Sequence, residues 1–149
     1  MSINIELHMI IQVLIAFLLG GIIGWERELH GRQAGIRTFG AISIGACVFG
    51  LISLYGVPGL VAHGLDPTRI ASNVVVGVGF LGAGIIFHPE GNRVLGLTTA
   101  ATLWATAAVG LAVAFHMYII AALVTIIMLL MLWLPKLSWW KWISAKRNQ

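Results

Sequence analysis

The sequence predicts an all-α, polytopic membrane protein, a bundle of about five transmembrane helices. The chain has 149 residues, of which 59% are hydrophobic and 9% are charged, whereas soluble domains carry about 25% charged residues. A helix needs about 20 apolar residues to cross a bilayer, and several apolar runs reach that length. Because these runs are apolar on all sides, they do not fit the alternating strands of a membrane β-barrel.

Five apolar runs follow one another, and polar or turn-forming segments separate them. The helices are expected at about 7–25, 36–55, 70–87, 95–115 and 117–134. A charged cluster at 26–32 ends the first run, and a Gly-Val-Pro-Gly turn at 56–59 ends the second. The last two runs are separated only by His116 and its neighbours, which predicts a tight helical hairpin.

Lys and Arg residues predict the orientation, because they are enriched in cytoplasmic loops. With five helices, the first loop, the third loop and the C-terminal segment share one side, and of nine Lys and Arg residues only Arg69 lies opposite. We expect the N-terminus outside and the C-terminus in the cytoplasm. We expect one transmembrane domain at 1–135 and a basic, Trp-rich cytoplasmic tail at 136–149, which is typical of a membrane-surface anchor or, alternatively, a partner-docking helix.

Small residues at helical spacing predict close helix packing. In the first run, Gly20 and Gly24 lie one turn apart. In the fourth run, a ridge repeats every four residues and is formed by Thr98, Thr102, Thr106, Gly110 and Ala114. The third run holds four glycines, Gly77, Gly79, Gly82 and Gly84. These four suit either tight packing or a broken helix whose carbonyls bind a cation. The first-run glycines and the fourth-run ridge together predict a homodimer.

A few polar residues near membrane depth form the candidate functional cluster. An ionisable group at this depth is costly unless it is paired or hydrated, so Glu26 is expected to pair with Arg37; both could instead be ordinary interfacial charges. Asn73 is expected to bond across helices, and Thr99 to line an inner cavity. The complete cluster is Glu26, Arg27, Arg37, Thr38, Asn73, Thr98, Thr99 and Thr102.

The motifs of common enzymes are missing from the sequence. It contains no P-loop, nucleophile elbow or HExxH pattern, so we expect a non-enzymatic protein without a cofactor. The basic residues lie in loops, which favours membrane lipids over nucleic acid as partners. Since Cys47 is the only cysteine, an intramolecular disulfide is excluded. A composite metal site from His8, His63 and His116 stays open, and no metal is assigned.

Four motifs in order resemble the MgtC/SapB family of bacterial inner-membrane proteins. They are GWER at 24–27, AGIRT at 34–38, VGFLGAG at 78–84 and VLGLTTAATLW at 94–104. The resemblance implies a membrane domain of about five helices and a link to magnesium limitation, acid stress or survival inside host cells. Family members of the virulence branch are described as restraining the ATP synthase by membrane contact. Many members add a cytoplasmic ACT-type domain, and we expect this chain to be a short form without it.

The sequence is compatible with two functions. The first is a regulatory or stress-adaptation protein that acts by helix contacts with another membrane protein, the ATP synthase being a candidate by family analogy alone. The second is a small cation transporter or channel, related to magnesium and built as a dimer. Magnesium prefers oxygen ligands and one or two carboxylates, and Glu26 is the carboxylate expected at membrane depth.

Overall fold

The computed structural model describes residues 3–56, 66, 68–86 and 94–136, and these are mostly helical. The helices are α1 (Ile3–Leu29), α2 (Ile36–Tyr55), α3 (Arg69–Ile85), α4 (Leu97–Ala114) and α5 (Tyr118–Trp133), followed by a 3₁₀ turn at Leu134–Lys136. The predicted all-α fold with five helices is therefore confirmed. The expected tail beyond Lys136, and the loop residues His63 and Arg93, lie outside the described residues.

Three of the helices, α1, α2 and α4, are long and apolar enough to cross a membrane. The other two are apolar but shorter, with 17 residues in α3 and 16 in α5. At a rise of 1.5 Å per residue these two are about 25 Å long, slightly less than a hydrocarbon core of about 30 Å. Membrane crossing by α3 and α5, and the orientation of the bundle, stay predictions.

The helices run in alternating directions, so that their ends meet at two poles of the bundle. At one pole the hydroxyl of Tyr55, which ends α2, lies 3.2 Å from Nε2 of His116, which follows α4. At the opposite pole Arg27, in the last turn of α1, bonds Thr99 in the first turn of α4. This arrangement agrees with the short α4–α5 hairpin predicted at His116, whose φ of 61° reverses the chain.

The surface of the bundle is apolar, and several polar side chains lie inside it. Ile119 is 84% exposed and Phe80 is 77% exposed, whereas Gln12 and Thr106 are buried. Water would disfavour so large an apolar surface, but lipid does not, and buried polar groups then gain partners inside the protein. The distribution of side chains therefore fits a protein surrounded by lipid.

Helix α4 is the centre of the bundle and packs against each of the other four helices. Its buried face includes Thr102, Thr106, Gly110 and Ala114, so most of the predicted ridge is in the core. A Cβ built on Gly110 would overlap the backbone carbonyl of Ser43 in α2. At Gly110 the ridge therefore packs on α2.

Gly20 and Gly24 allow α1 and α2 to approach each other closely. A Cβ on Gly20 would come within 2.5 Å of the Ser43 Cβ, and one on Gly24 within 2.7 Å of the Gly35 carbonyl oxygen. Both glycines thus permit close approach within one chain, as expected of small residues. Because these contacts and the α4 ridge are used inside the chain, the surfaces on which the homodimer prediction rested are already covered.

Of the four glycines of α3, only Gly82 packs against another described helix. The helix is continuous from Arg69 to Ile85, so the broken-helix alternative does not hold in this structure. A Cβ on Gly82 would lie 3.6 Å from the Ala100 Cβ in α4, while Gly77, Gly79 and Gly84 have nothing within 4 Å. Gly82 packs within the chain, and the other three face outward.

Candidate functional site

One end of the bundle holds a polar concavity between α1, α4 and α5. Its volume is about 490 Å³, and we name it the Arg27 pocket after its most buried charge. The polar side chains around it are Glu26, Arg27, His30, Arg32, Thr98 and Thr99. Four of these six belong to the predicted cluster, so the structure brings half of the eight predicted residues together here.

Arg27 is the buried charge of the pocket, with only 5% of its surface exposed. The guanidinium Nη2 donates to the Thr99 hydroxyl at 3.1 Å. Its Nε is buried and has no hydrogen-bond partner among the described residues. An ionised side chain removed from solvent normally has its hydrogen-bonding capacity filled, so Arg27 is under-satisfied. The expectation that Thr99 lines an inner cavity agrees with this geometry.

Glu26 lies beside Arg27 but contacts His30, one turn later in sequence. Its carboxylate Oε1 is 3.1 Å from Nδ1 of His30, and the same nitrogen lies 2.6 Å from the Glu26 carbonyl oxygen. The Glu26 side chain is 15% exposed. The carboxylate therefore faces the rim of the pocket, within hydrogen-bonding distance of the His30 ring.

The expected pairing of Glu26 with Arg37 is not seen among the described residues. Arg37 is exposed and lines, with Thr38, a separate concavity of about 430 Å³. The acid in that concavity is Glu28, whose Oε2 accepts the Ile36 backbone N–H at 3.1 Å. Successive helical residues differ by about 100° in direction, so Glu28 points well away from Glu26 and toward the start of α2.

Glu28 is a residue that the sequence reasoning missed. It satisfies one of the free N–H groups at the N-terminus of α2, the role usually taken by an N-cap side chain. A Cβ on Gly35 would come within 2.5 Å of the Glu28 Oε2, so the glycine makes room for this carboxylate. An acid shortly before a glycine and a new apolar run was the available signal.

Threonine hydroxyls of α4 also form hydrogen bonds within their own helix. The Thr102 hydroxyl donates to the Thr98 carbonyl, and the Thr106 hydroxyl donates to the Thr102 carbonyl at 2.8 Å. This is the i−4 bonding expected for threonines in apolar helices. Thr102 therefore serves the helix, and only Thr98 and Thr99 face the pocket.

Asn73 was expected to bond across helices, and the structure corrects this. Its Nδ2 donates to the Arg69 carbonyl at 3.0 Å, within its own helix. The side chain is exposed and lines an apolar groove of about 620 Å³ between α2 and α3. We call this the α2–α3 groove. Its floor contains Gly45 and Gly77, neither of which would bring a Cβ within 4 Å of another atom.

Gln12 is a second residue that the sequence reasoning missed. It is 1% exposed, and its Nε2 donates to the carbonyls of Val113 and Ala114 at 2.8 and 3.0 Å. The amide thereby ties α1 to the last turn of α4, where backbone carbonyls lose their helical partners. A lone amide within an apolar run was the signal.

The structure gives little support to a metal site formed by His8, His63 and His116. His8 and His116 border one concavity with Tyr55 and Tyr118, and Nδ1 of His116 lies 3.2 Å from the Tyr118 hydroxyl. The described residues contain no group of three His, Cys, Asp or Glu side chains that could hold a metal ion. His63 lies outside them.

These features define a class: a bundle of apolar helices, three of them long enough to span a membrane, that pack through small residues and hold a polar pocket at one pole. Residues 13–138 match the model of the MgtC family. The chain therefore belongs to the MgtC family, as the four motifs had indicated.

Several relatives share this membrane region. The chain is 46% identical over 112 residues to "Putative magnesium transporter YhiD" of Escherichia coli (strain K12), covering 73% of this chain and 52% of YhiD. It is 54% identical over 95 residues to Protein MgtC of Brucella abortus (strain 2308), covering 64% and 37% respectively. For Protein MgtC of Salmonella typhimurium (strain 14028s / SGSC 2262), identity is 44% over 120 residues, covering 80% and 49%. The chain thus spans about half the length of these relatives or less. No solved structure matches it.

Proposed function

We propose that this chain is a non-enzymatic regulatory protein of the bacterial inner membrane that acts by lateral contact with another membrane protein. The observation that carries the proposal is the α2–α3 groove. It is apolar, about 620 Å³ in volume, and open to the outside of the bundle. Its small-residue floor suits the close approach of a further transmembrane helix, because helix association in lipid depends on packing and not on water exclusion.

The polar pocket supports the same proposal by its charge. A conduit for divalent cations needs oxygen ligands and a favourable potential. The Arg27 pocket instead contains a buried guanidinium, and Arg32 adds a second positive charge at its edge. Its carboxylate, Glu26, is already within ion-pair distance of His30. This arrangement disfavours a cation at the pocket.

The contact can be tested by placing a photo-crosslinking residue at Leu81, which lines the groove, and at Phe80, which is exposed on the same helix but does not line it. In native membranes we expect a defined adduct from position 81 and none from 80. The adduct is expected to disappear in Gly77→Leu, which fills the groove, and to persist in Gly79→Leu, an equally open neighbour. Equal adducts from both positions, or loss in both leucine variants, would contradict the proposal. An adduct of twice the chain mass would identify a second copy as the occupant.

A second candidate function is cation transport, which the name of the relative YhiD favours. It predicts magnesium entry into liposomes that contain the purified chain, measured with an enclosed magnesium-sensitive dye. Glu26→Gln would be expected to abolish this entry, and Glu6→Gln, at the opposite end of α1, to leave it unchanged. Flux with this dependence would replace the regulatory proposal.

A further inference from the structure

We propose that the Arg27 pocket binds a phosphate group, supplied either by the headgroup of an anionic phospholipid or by free inorganic phosphate. The first observation is the incomplete bonding of Arg27. Its guanidinium is 5% exposed, bonds Thr99 through Nη2, and leaves a buried Nε without a hydrogen-bond partner in the described part of the chain. A guanidinium presents its donors in a planar fork that matches two phosphate oxygens.

The second observation is the start of α4, which opens into the same pocket. The N-terminal residues Leu97, Thr98 and Thr99 all line it. The first N–H groups of a helix lack partners within the helix, and Gly96 at the N-cap has no side chain to bond them. The helix dipole adds a partial positive charge at this point, so backbone donors and Arg27 converge on one concavity. This is the usual chemistry of an anion site.

The charges around the pocket leave a positive balance. Arg27 and Arg32 both line the pocket, and Glu26 is the one acidic residue among its described lining residues. The Glu26 carboxylate lies at the rim, 3.1 Å from Nδ1 of His30, so the two guanidinium groups outnumber the one carboxylate. The volume of about 490 Å³ also exceeds the space that a phosphate group needs. The inference does not depend on the proposed helix contact, which concerns a different face.

The test uses the purified, delipidated full chain in a neutral detergent, and two probes separate the two sources. Inorganic phosphate is titrated at constant ionic strength against chloride, with thermal unfolding as the readout. Separately, native mass spectrometry measures retention of phosphatidylglycerol against diacylglycerol with the same acyl chains. We expect phosphate or phosphatidylglycerol to bind and diacylglycerol not to bind. Binding of free phosphate identifies the soluble source, and binding of phosphatidylglycerol alone identifies the lipid.

Variants then assign the binding to the pocket. Arg27→Gln is expected to weaken it at least about tenfold, since hydrogen bonds to charged groups are the strong ones. Arg32 is exposed and also borders the Arg37 concavity, so Arg32→Gln is expected to weaken it about threefold to fivefold. Arg37→Gln removes the same charge from the separate concavity and is expected to change affinity less than about twofold. Arg32 is exposed, so its variant remains informative if Arg27→Gln fails to fold. The proposal is overturned if neither probe binds, or if Arg37→Gln weakens binding as much as Arg32→Gln.

Discussion

Gly110 provides the sharpest test of how α2 and α4 are held together. A Cβ at this position would overlap the Ser43 carbonyl and lie 3.0 Å from the Ala46 Cβ. The first of these atoms belongs to the backbone and cannot rotate away, so Gly110→Ala must push two helices apart. Gly79→Ala is the matched control, because Gly79 is also helical but has nothing within 4 Å.

The expected magnitudes follow from two terms. Replacing a helical glycine with alanine stabilises a helix by about 0.5–1 kcal/mol, and this term is common to both variants. Overpacking a close interface costs about 1–3 kcal/mol, and this term belongs to Gly110→Ala alone. We therefore expect Gly79→Ala to raise the free energy of unfolding slightly, and Gly110→Ala to lie about 1–3 kcal/mol below it.

The single, buried Cys47 supplies the assay. Its rate of reaction with a maleimide in mild detergent reports opening of the bundle, and each 1.4 kcal/mol corresponds to about tenfold in that rate. Helical circular dichroism during unfolding in a denaturing detergent gives an independent midpoint. Equal labelling rates and equal midpoints in the two variants would refute the close α2–α4 approach on which the fold rests.

Three further predictions concern the ends of the helices. Gln12→Met should lower stability by about 1–3 kcal/mol, because the Ala114 carbonyl loses the amide that bonds it; a midpoint equal to that of wild type in the same denaturing detergent would contradict this. Gly96→Ala should cost about 1–3 kcal/mol, because Gly96 has a left-handed φ of 86° and a Cβ there would overlap the backbone carbonyl of Ile85. Gly31→Ala, at a φ of 65° with nothing within 4 Å, should lower the thermal midpoint less, and equal losses in the two variants would contradict this. Hydrogen bonds from the Thr68 backbone and hydroxyl lower the pKa of Asp66. The stabilisation that Asp66 gives to the start of α3 is therefore complete above the ordinary Asp pKa and is lost as the pH falls through the lowered pKa. In wild type, amide exchange at Thr68, corrected for intrinsic rates, should rise over that pH range, and in Asp66→Asn it should not change with pH.

Hydropathy was sufficient to predict the number and order of the helices. Their ends were less predictable, because charged residues at a membrane surface do not stop a helix. The first run was expected to end at Trp25, yet α1 continues to Leu29. This extra turn places Glu26, Arg27 and Glu28 on different faces of one helix. Each of the three side chains therefore contacts a different part of the bundle.

The candidate site was predicted in part for the same reason. The sequence placed Thr99 at an inner cavity, and Thr99 lines the Arg27 pocket, whereas Thr102 was placed in the functional cluster and instead hydrogen-bonds its own helix. Spacing could not show that Glu26 and Arg37 lie in separate concavities, because that depends on the rotation of α1 relative to α2. It also could not separate Gly82, which packs on α4, from Gly77, which faces outward, since both satisfy the same pattern.

The central place of α4 has a consequence for biosynthesis. This helix contacts α1, α2, α3 and α5 but is translated after the first three of them. Until it arrives, Gln12 and Arg27 on the nascent α1 lack the carbonyls and the hydroxyl that they bond in the finished bundle. We therefore expect the insertion machinery to keep these two polar side chains of α1 away from lipid until α4 has been translated. A nascent chain stalled after α3 is expected to stay beside the insertase and to become a substrate for membrane proteolysis.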